Sequence, residues 1–117
     1  MPEMTFLETI SNGHSIVFFH DRDALHTAAG VAMKHNIPTV TFMSKESLRQ
    51  WQRVHTTKPN GILLVHIANC TGWQTYADRV IWLKGLHYDQ FEQYDQAGRR
   101  IRGKTVQPII FHPEDIK

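Results

Sequence analysis

Four positive charges fall within six residues near the end of the chain: Arg99, Arg100, Arg102 and Lys104, with no acid among them. A guanidinium is a planar, permanently charged fork whose donors match phosphate oxygens. Such a cluster suits a nucleotide, a nucleic-acid backbone, or a phosphoryl group whose charge must be stabilised during transfer. The same cations at the C-terminal end of a helix also complement its dipole without any ligand, so the surrounding elements must decide between the two readings. Other chemistry is less well supplied. None of the eight histidines pairs at H-x-x-x-H spacing, and one cysteine, Cys70, makes no zinc set. Cys70 follows His66 by four residues across a strand and a loop, which enforces no nucleophile–base geometry. Gly103-Lys104-Thr105 spells the end of a phosphate-binding loop, but it lies between a helix and a strand, without the earlier glycine. No D-E-x-[HD] element accompanies it. The chain therefore lacks the parts needed to bind and activate ATP by itself.

The whole-chain balance sets bounds. A chain of 117 residues is expected to form one domain over residues 1–117, with 41% hydrophobic and 21% charged residues. Thirteen basic against eleven acidic residues give a formal charge of +2, too little to imply nucleic-acid binding except through local placement. No apolar run approaches the ~20 residues of a membrane helix, and MPEMTFLETI lacks the basic start of a secretory signal. The single cysteine fits a reducing compartment. A cytoplasmic protein with no membrane partner is expected.

The elements that would position the arginines alternate in type. Met4, Leu7 and Ile10 predict a helix over Glu3–Ile10, stopped by Ser11-Asn12-Gly13. Ser15–His20 reads as a strand buried on both faces. Asp21-Arg22-Asp23 supplies caps for a helix to about Lys34, packed through Leu25, Ala28, Ala29 and Ala32. Pro38 introduces a strand over Thr39–Met43. Ser44 caps a helix from Lys45 to about His55, with Leu48, Trp51 and Val54 inward. A loop over Thr56–Gly61 leads to a strand over Ile62–Ile67. Asn69-Cys70-Thr71-Gly72-Trp73-Gln74 is a polar loop in which Gly72 suits a positive φ and Trp73 suits either packing or base stacking. Arg79–Leu83 is a short strand, a helix begins near Tyr88 and ends in the arginine cluster, and Val106–Phe111 is a last strand that Pro108 places at an edge or makes irregular. The expected architecture is α/β: a mostly parallel sheet with helices on both faces and right-handed crossovers.

In this order of parts, Ala77-Asp78-Arg79-Val80-Ile81 and Gly98-Arg99-Arg100-Ile101-Arg102 resemble motifs of superfamily-two helicases and translocases, including the Swi/Snf-type and phage branches. The resemblance is to their C-terminal RecA-like domain. There a Gly-containing loop (motif V) leads to a strand reading A-D-R-V-I, and a helix ends in Q-x-x-G-R-x-x-R (motif VI). Asp95 stands at the glutamine position, with Gln96 one place late, and the motif V loop is one residue shorter than its commonest form. The strand ending at His20 and the following Asp21-Arg22-Asp23 take the place of motif IV by position.

The resemblance implies roles. Arg99 and Arg102 match the motif VI arginines that reach across a cleft to the γ-phosphate, so they are the implied catalytic residues. Gly72, Gly98, Arg99 and Arg102 would contact nucleotide. His20, Arg22, Thr71, Gln74, Arg100 and Lys104 would contact nucleic acid, with DNA expected. ATP would be shared with a partner and not held tightly by the chain alone. The implied partner is a separate protein bearing the phosphate-binding loop and magnesium carboxylates, so the chain reads as half of a split helicase of the kind phages encode, acting in host cytoplasm if so. The alternative is a non-enzymatic module that binds nucleic acid or docks on a helicase and regulates it.

Overall fold

Six residues in succession, His14 to Phe19, are buried together and the last four are strongly apolar, which requires cover on both faces of one strand. In the computed structural model this strand, β1 (Gly13–Phe19), is the middle of a five-stranded, wholly parallel sheet. The structure describes residues 5–69, 73–83, the backbone of 101–102, 109–112 and 116. Along the chain, α1 (Phe6–Ser11) precedes β1. Then come α2 (Arg22–Lys34), β2 (Thr39–Thr41), α3 (Lys45–Thr57) and β3 (Asn60–His66). A single 3-10 turn, Ile67–Asn69, follows, then β4 (Thr75–Tyr76), β5 (Arg79–Leu83), β6 (Ile101–Arg102) and β7 (Ile109–Phe111). The main sheet runs β2-β3-β1-β5-β7, and β4 pairs with β6 in a separate parallel ribbon.

Alternation along the buried strands divides the core in two. Ile16, Phe18, Leu63, Val65, Val80 and Trp82 face one side, where Trp51 of α3 and Trp73 complete a cluster. Val17, Phe19, Ile62, Leu64, Ile81 and Leu83 face the other, against Phe6 and Ile10 of α1 and Ala24, Ala28 and Ala32 of α2. The α/β architecture with helices on both faces is thus as the sequence predicts, and among the described strands β7 lies at an edge, one of the two arrangements expected of it.

Local signals set the helix limits. The Asp21 carboxylate accepts the Ala24 amide at 2.8 Å and starts α2. At its other end Asn36 takes φ 58°, while the Ile37 and Asn36 amides return to the Ala32 and Met33 carbonyls, a Schellman closure. Ser44 and the buried Ser47 form a reciprocal cap on α3. That helix packs tightly on the sheet because Gly61 has no side chain: a Cβ there would lie 2.6 Å from Val54 Cγ1.

Several boundaries differ from expectation. The first helix begins at Phe6, with Thr5 as its cap, and its inward residues are Phe6, Thr9 and Ile10, since burial follows i, i+3, i+4 and not the three-residue step from Met4. Residues 1–4 lie outside the described set. α3 continues through Thr57, because the Thr56 and Thr57 hydroxyls bond back to carbonyls one turn earlier and only Pro59 ends it. β2 stops at Thr41, although the Phe42 amide still reaches the Leu64 carbonyl at 2.8 Å. The largest difference concerns Ile101-Arg102. These two residues are strand, paired to Thr75-Tyr76, and not the end of a helix. The helix expected from Tyr88 and residues 106–108 of the last strand lie outside the described residues.

Candidate nucleic-acid interface

The carboxyl end of a parallel sheet is where neighbouring connections diverge, and a crevice opens where adjacent strands feed opposite faces. Here that occurs between β1 and β3. β1 leads into α2 on one face, whereas β3 leads into the Trp73–Ala77 segment, which packs with α3 on the other. The residues at this junction are His20, just past β1, and His66, the last of β3, with ring centroids 6.3 Å apart and nearly perpendicular. His66 also stands edge-on to Phe19 at 5.3 Å. Its Nδ1 accepts the Ala68 amide at 3.0 Å, so the neutral ring carries its proton on Nε2. Of the expected nucleic-acid residues, His20 is half-buried and Arg22, the first residue of α2, is exposed beside it in sequence.

From sequence His66 stands inside a strand, four residues before Cys70, with nothing to place it beside His20. Its role in the crevice follows from the register Phe19↔His66, which periodicity cannot supply. Trp73 resolves in favour of packing. It is buried, its indole N–H donates to the Asn69 carbonyl, and its ring lies 5.3 Å from Phe42. This closes the loop after β3 at its base.

Gln74, exposed next to Trp73, lies on the α3 side and not beside His20 and Arg22. It lines a groove with Leu48, Arg49, Gln52, His55 and Tyr76. The carbonyl of Tyr76 accepts the Trp51 indole N–H at 3.1 Å, which holds β4 against α3. β6 then pairs alongside with Tyr76 opposite Arg102. The fold therefore draws the end of the Gly98–Arg102 segment back onto the strand that follows the Gly72 loop. Thr71, Gly72, Gly98, Arg99, Arg100 and Lys104 lie outside the described residues, and of Arg102 only the backbone is described.

The opposite, amino end of the sheet uses the residues that matched the helicase-like strand. Asp78 Oδ2 accepts the His14 amide at 2.7 Å and lies 3.6 Å from His14 Nδ1. The His14 amide holds the Asp78 carboxyl below its ordinary value. Burial opposes this, and the charges of His14, His55 and Arg79 assist. Arg79 Nη1 donates to the carbonyls of Thr9 and Asn12 and to Ser15 Oγ. His14 Nε2 meets the Val54 carbonyl at 3.2 Å, and its ring packs on Trp51 and His55. Asp78 and Arg79 thus tie the α1–β1 turn to β5. Val80 and Ile81 are buried as expected.

Among the described residues no group of three or more His, Cys, Asp or Glu could hold a metal ion. No helix among them is long and apolar enough to cross a membrane. No family model matches the chain, and no curated protein matches it. Among solved structures, the crystal structure of the Pyrococcus furiosus Hef helicase domain is similar. The TM-score is 0.53 at 17% identity, over 91% of this chain and 22% of that one. The chain therefore has an α/β, RecA-like parallel-sheet fold similar to part of that structure, of which it spans under a quarter.

Proposed function

We propose that the chain acts as the second RecA-like half of a nucleic-acid-dependent helicase or translocase, of the Swi/Snf-type or phage branch, in the cytoplasm. It works with a partner that carries the phosphate-binding loop and the magnesium carboxylates. The observation that carries this reading is the β4–β6 pairing, which brings the strand after the Gly72 loop and the segment ending in Arg102 side by side. Two segments far apart in sequence, each resembling a nucleotide- or strand-contacting motif, are thereby joined, and the helicase-domain fold supports the same assignment.

In this reading Arg99 and Arg102 direct guanidinium groups at the γ-phosphate of an ATP bound mainly by the partner. They stabilise charge as it develops, a contribution of roughly 10³–10⁵ in rate for arginine fingers. Gly72 and Gly98 allow close backbone approach to the nucleotide. His20, Arg22, Thr71, Gln74, Arg100 and Lys104 follow the DNA strand. The test is ATP hydrolysis by the pair reconstituted with its ATPase-bearing subunit. Arg99→Lys and Arg102→Lys keep the charge and lose the fork, and each is expected to lower the rate by about 10³ or more. The chain alone should show no turnover. Unchanged rates in both variants would leave a regulatory module as the better account.

A further inference from the structure

The groove between α3 and β4 carries more than Gln74. Two adjoining hollows of about 300 and 320 Å³ share Arg49, Gln52 and Thr56; the second adds Arg53, and the first adds His55, Gln74 and Tyr76. Among the described residues no carboxylate lines either hollow. Glu46, the acid nearest in sequence on α3, pairs with Arg49 at 3.5 Å, with both side chains largely exposed. Tyr76 is 63% exposed although it belongs to a paired strand. Its carbonyl accepts the Trp51 indole and its strand is paired to β6, so the backbone of Tyr76 is already engaged. Recognition falls to side chains: guanidinium and amide donors along a trough, with one open aromatic face among them.

We propose that this groove is a binding site for single-stranded nucleic acid, with Arg49 and Arg53 on successive phosphates and a base stacked on Tyr76. That is the combination by which strands are held without regard to sequence, a basic track with an aromatic platform. None of these three residues belongs to the strand track named above. The inference rests on the nucleic-acid reading and extends it from the carboxyl edge of the sheet across the α3 face. Gln74 and the backbone of Arg102 stand where the two meet.

The test is anisotropy of fluorescein-labelled oligothymidylate of about twelve nucleotides, within the usual span of such sites. Titrations use the full chain over a range of salt. Arg49→Ala/Arg53→Ala is expected to lower affinity about tenfold at low salt and to flatten the logarithmic salt dependence by about 1.4, two single-strand phosphate contacts. Tyr76→Ala is expected to lower affinity about tenfold without changing that slope, and Tyr76→Trp to restore it. All three positions are exposed, and unchanged thermal melting identifies variants that remain folded. Wild-type binding by folded groove variants would overturn the proposal, as would equal competition by a poly-glutamate peptide. Arg22→Ala separates the two readings. If it weakens binding while the groove variants do not, the carboxyl-edge track stands and the groove falls, and the reverse pattern removes the track and keeps the groove. No binding at any salt would remove both.

Discussion

The two ends of the sheet use charge in opposite ways. At the amino end, Asp78, Arg79 and His14 turn inward onto one another and onto the carbonyls of Thr9, Asn12 and Val54, so charge is spent on holding α1, β1, α3 and β5 together. At the carboxyl end and along the adjoining α3 face, Arg22, Arg49, Arg53 and Gln74 are exposed, and among the described residues no polar lock of the Asp78 kind joins them to the core. In one family-like stretch, then, Ala77–Ile81 is largely a joint, while the residues just before it border an open groove. A motif match marks where a fold's parts meet, and it does not by itself separate the residues that hold from those that act.

This contrast can be broken in graded steps. The largest stability effect is expected from Trp73→Ala, which empties a buried site and releases the Asn69 carbonyl, at about 3–5 kcal/mol in chemical denaturation. Arg79→Ala should follow at about 1.5–3 kcal/mol, since one guanidinium nitrogen serves two carbonyls and a hydroxyl. Gly13→Ala should cost about 1–3 kcal/mol. Gly13 has φ +73°, and an added Cβ would stand 2.6 Å from Asp78 Oδ2. A stability loss near zero in both amino-end variants would contradict the view of that end as a lock.

Smaller effects sharpen the comparison. The folded Asp78 carboxyl is held below its ordinary value, so its contribution is fully present above about pH 3.9 and is lost as pH falls through the lowered folded value. Asp78→Asn should therefore melt below wild type at neutral pH and converge with it in strong acid. The gap should be modest because the side chain is half exposed. Smallest of all, Arg22→Ala should leave stability within about ±0.5 kcal/mol while lowering affinity for single-stranded DNA. A loss of several kcal/mol would make Arg22 a structural residue.

The main sheet was legible because its strands are buried on both faces and its helices carry caps at Asp21 and Ser44; both are local signals. The second ribbon was not. Thr75-Tyr76 and Ile101-Arg102 are two-residue strands of unremarkable composition, extended only because each has the other, and Arg102 was accordingly read as the end of a helix. The candidate site was legible in position only. His20, Arg22 and Gln74 were marked from order of parts, yet Gln74 lies with α3. The bond between His14 and Asp78 spans 64 positions, a distance at which no periodicity operates. Arg49 and Arg53 carried no signal beyond being polar positions on a helix. What the fold adds is β4 across the groove from Arg49.

The position of β1 at the centre of the sheet has a consequence for how the chain is made. Its two neighbours, β3 and β5, both come later, and its register with β5 joins residues 64 apart. During synthesis Ile16, Val17, Phe18 and Phe19 therefore emerge long before either flanking strand exists. Pairings this distant form slowly, and an apolar strand left waiting with open edges invites association with other nascent chains. A chaperone that shields the first third of the chain until Leu83 has emerged should raise the soluble yield, whereas one added after release should do little.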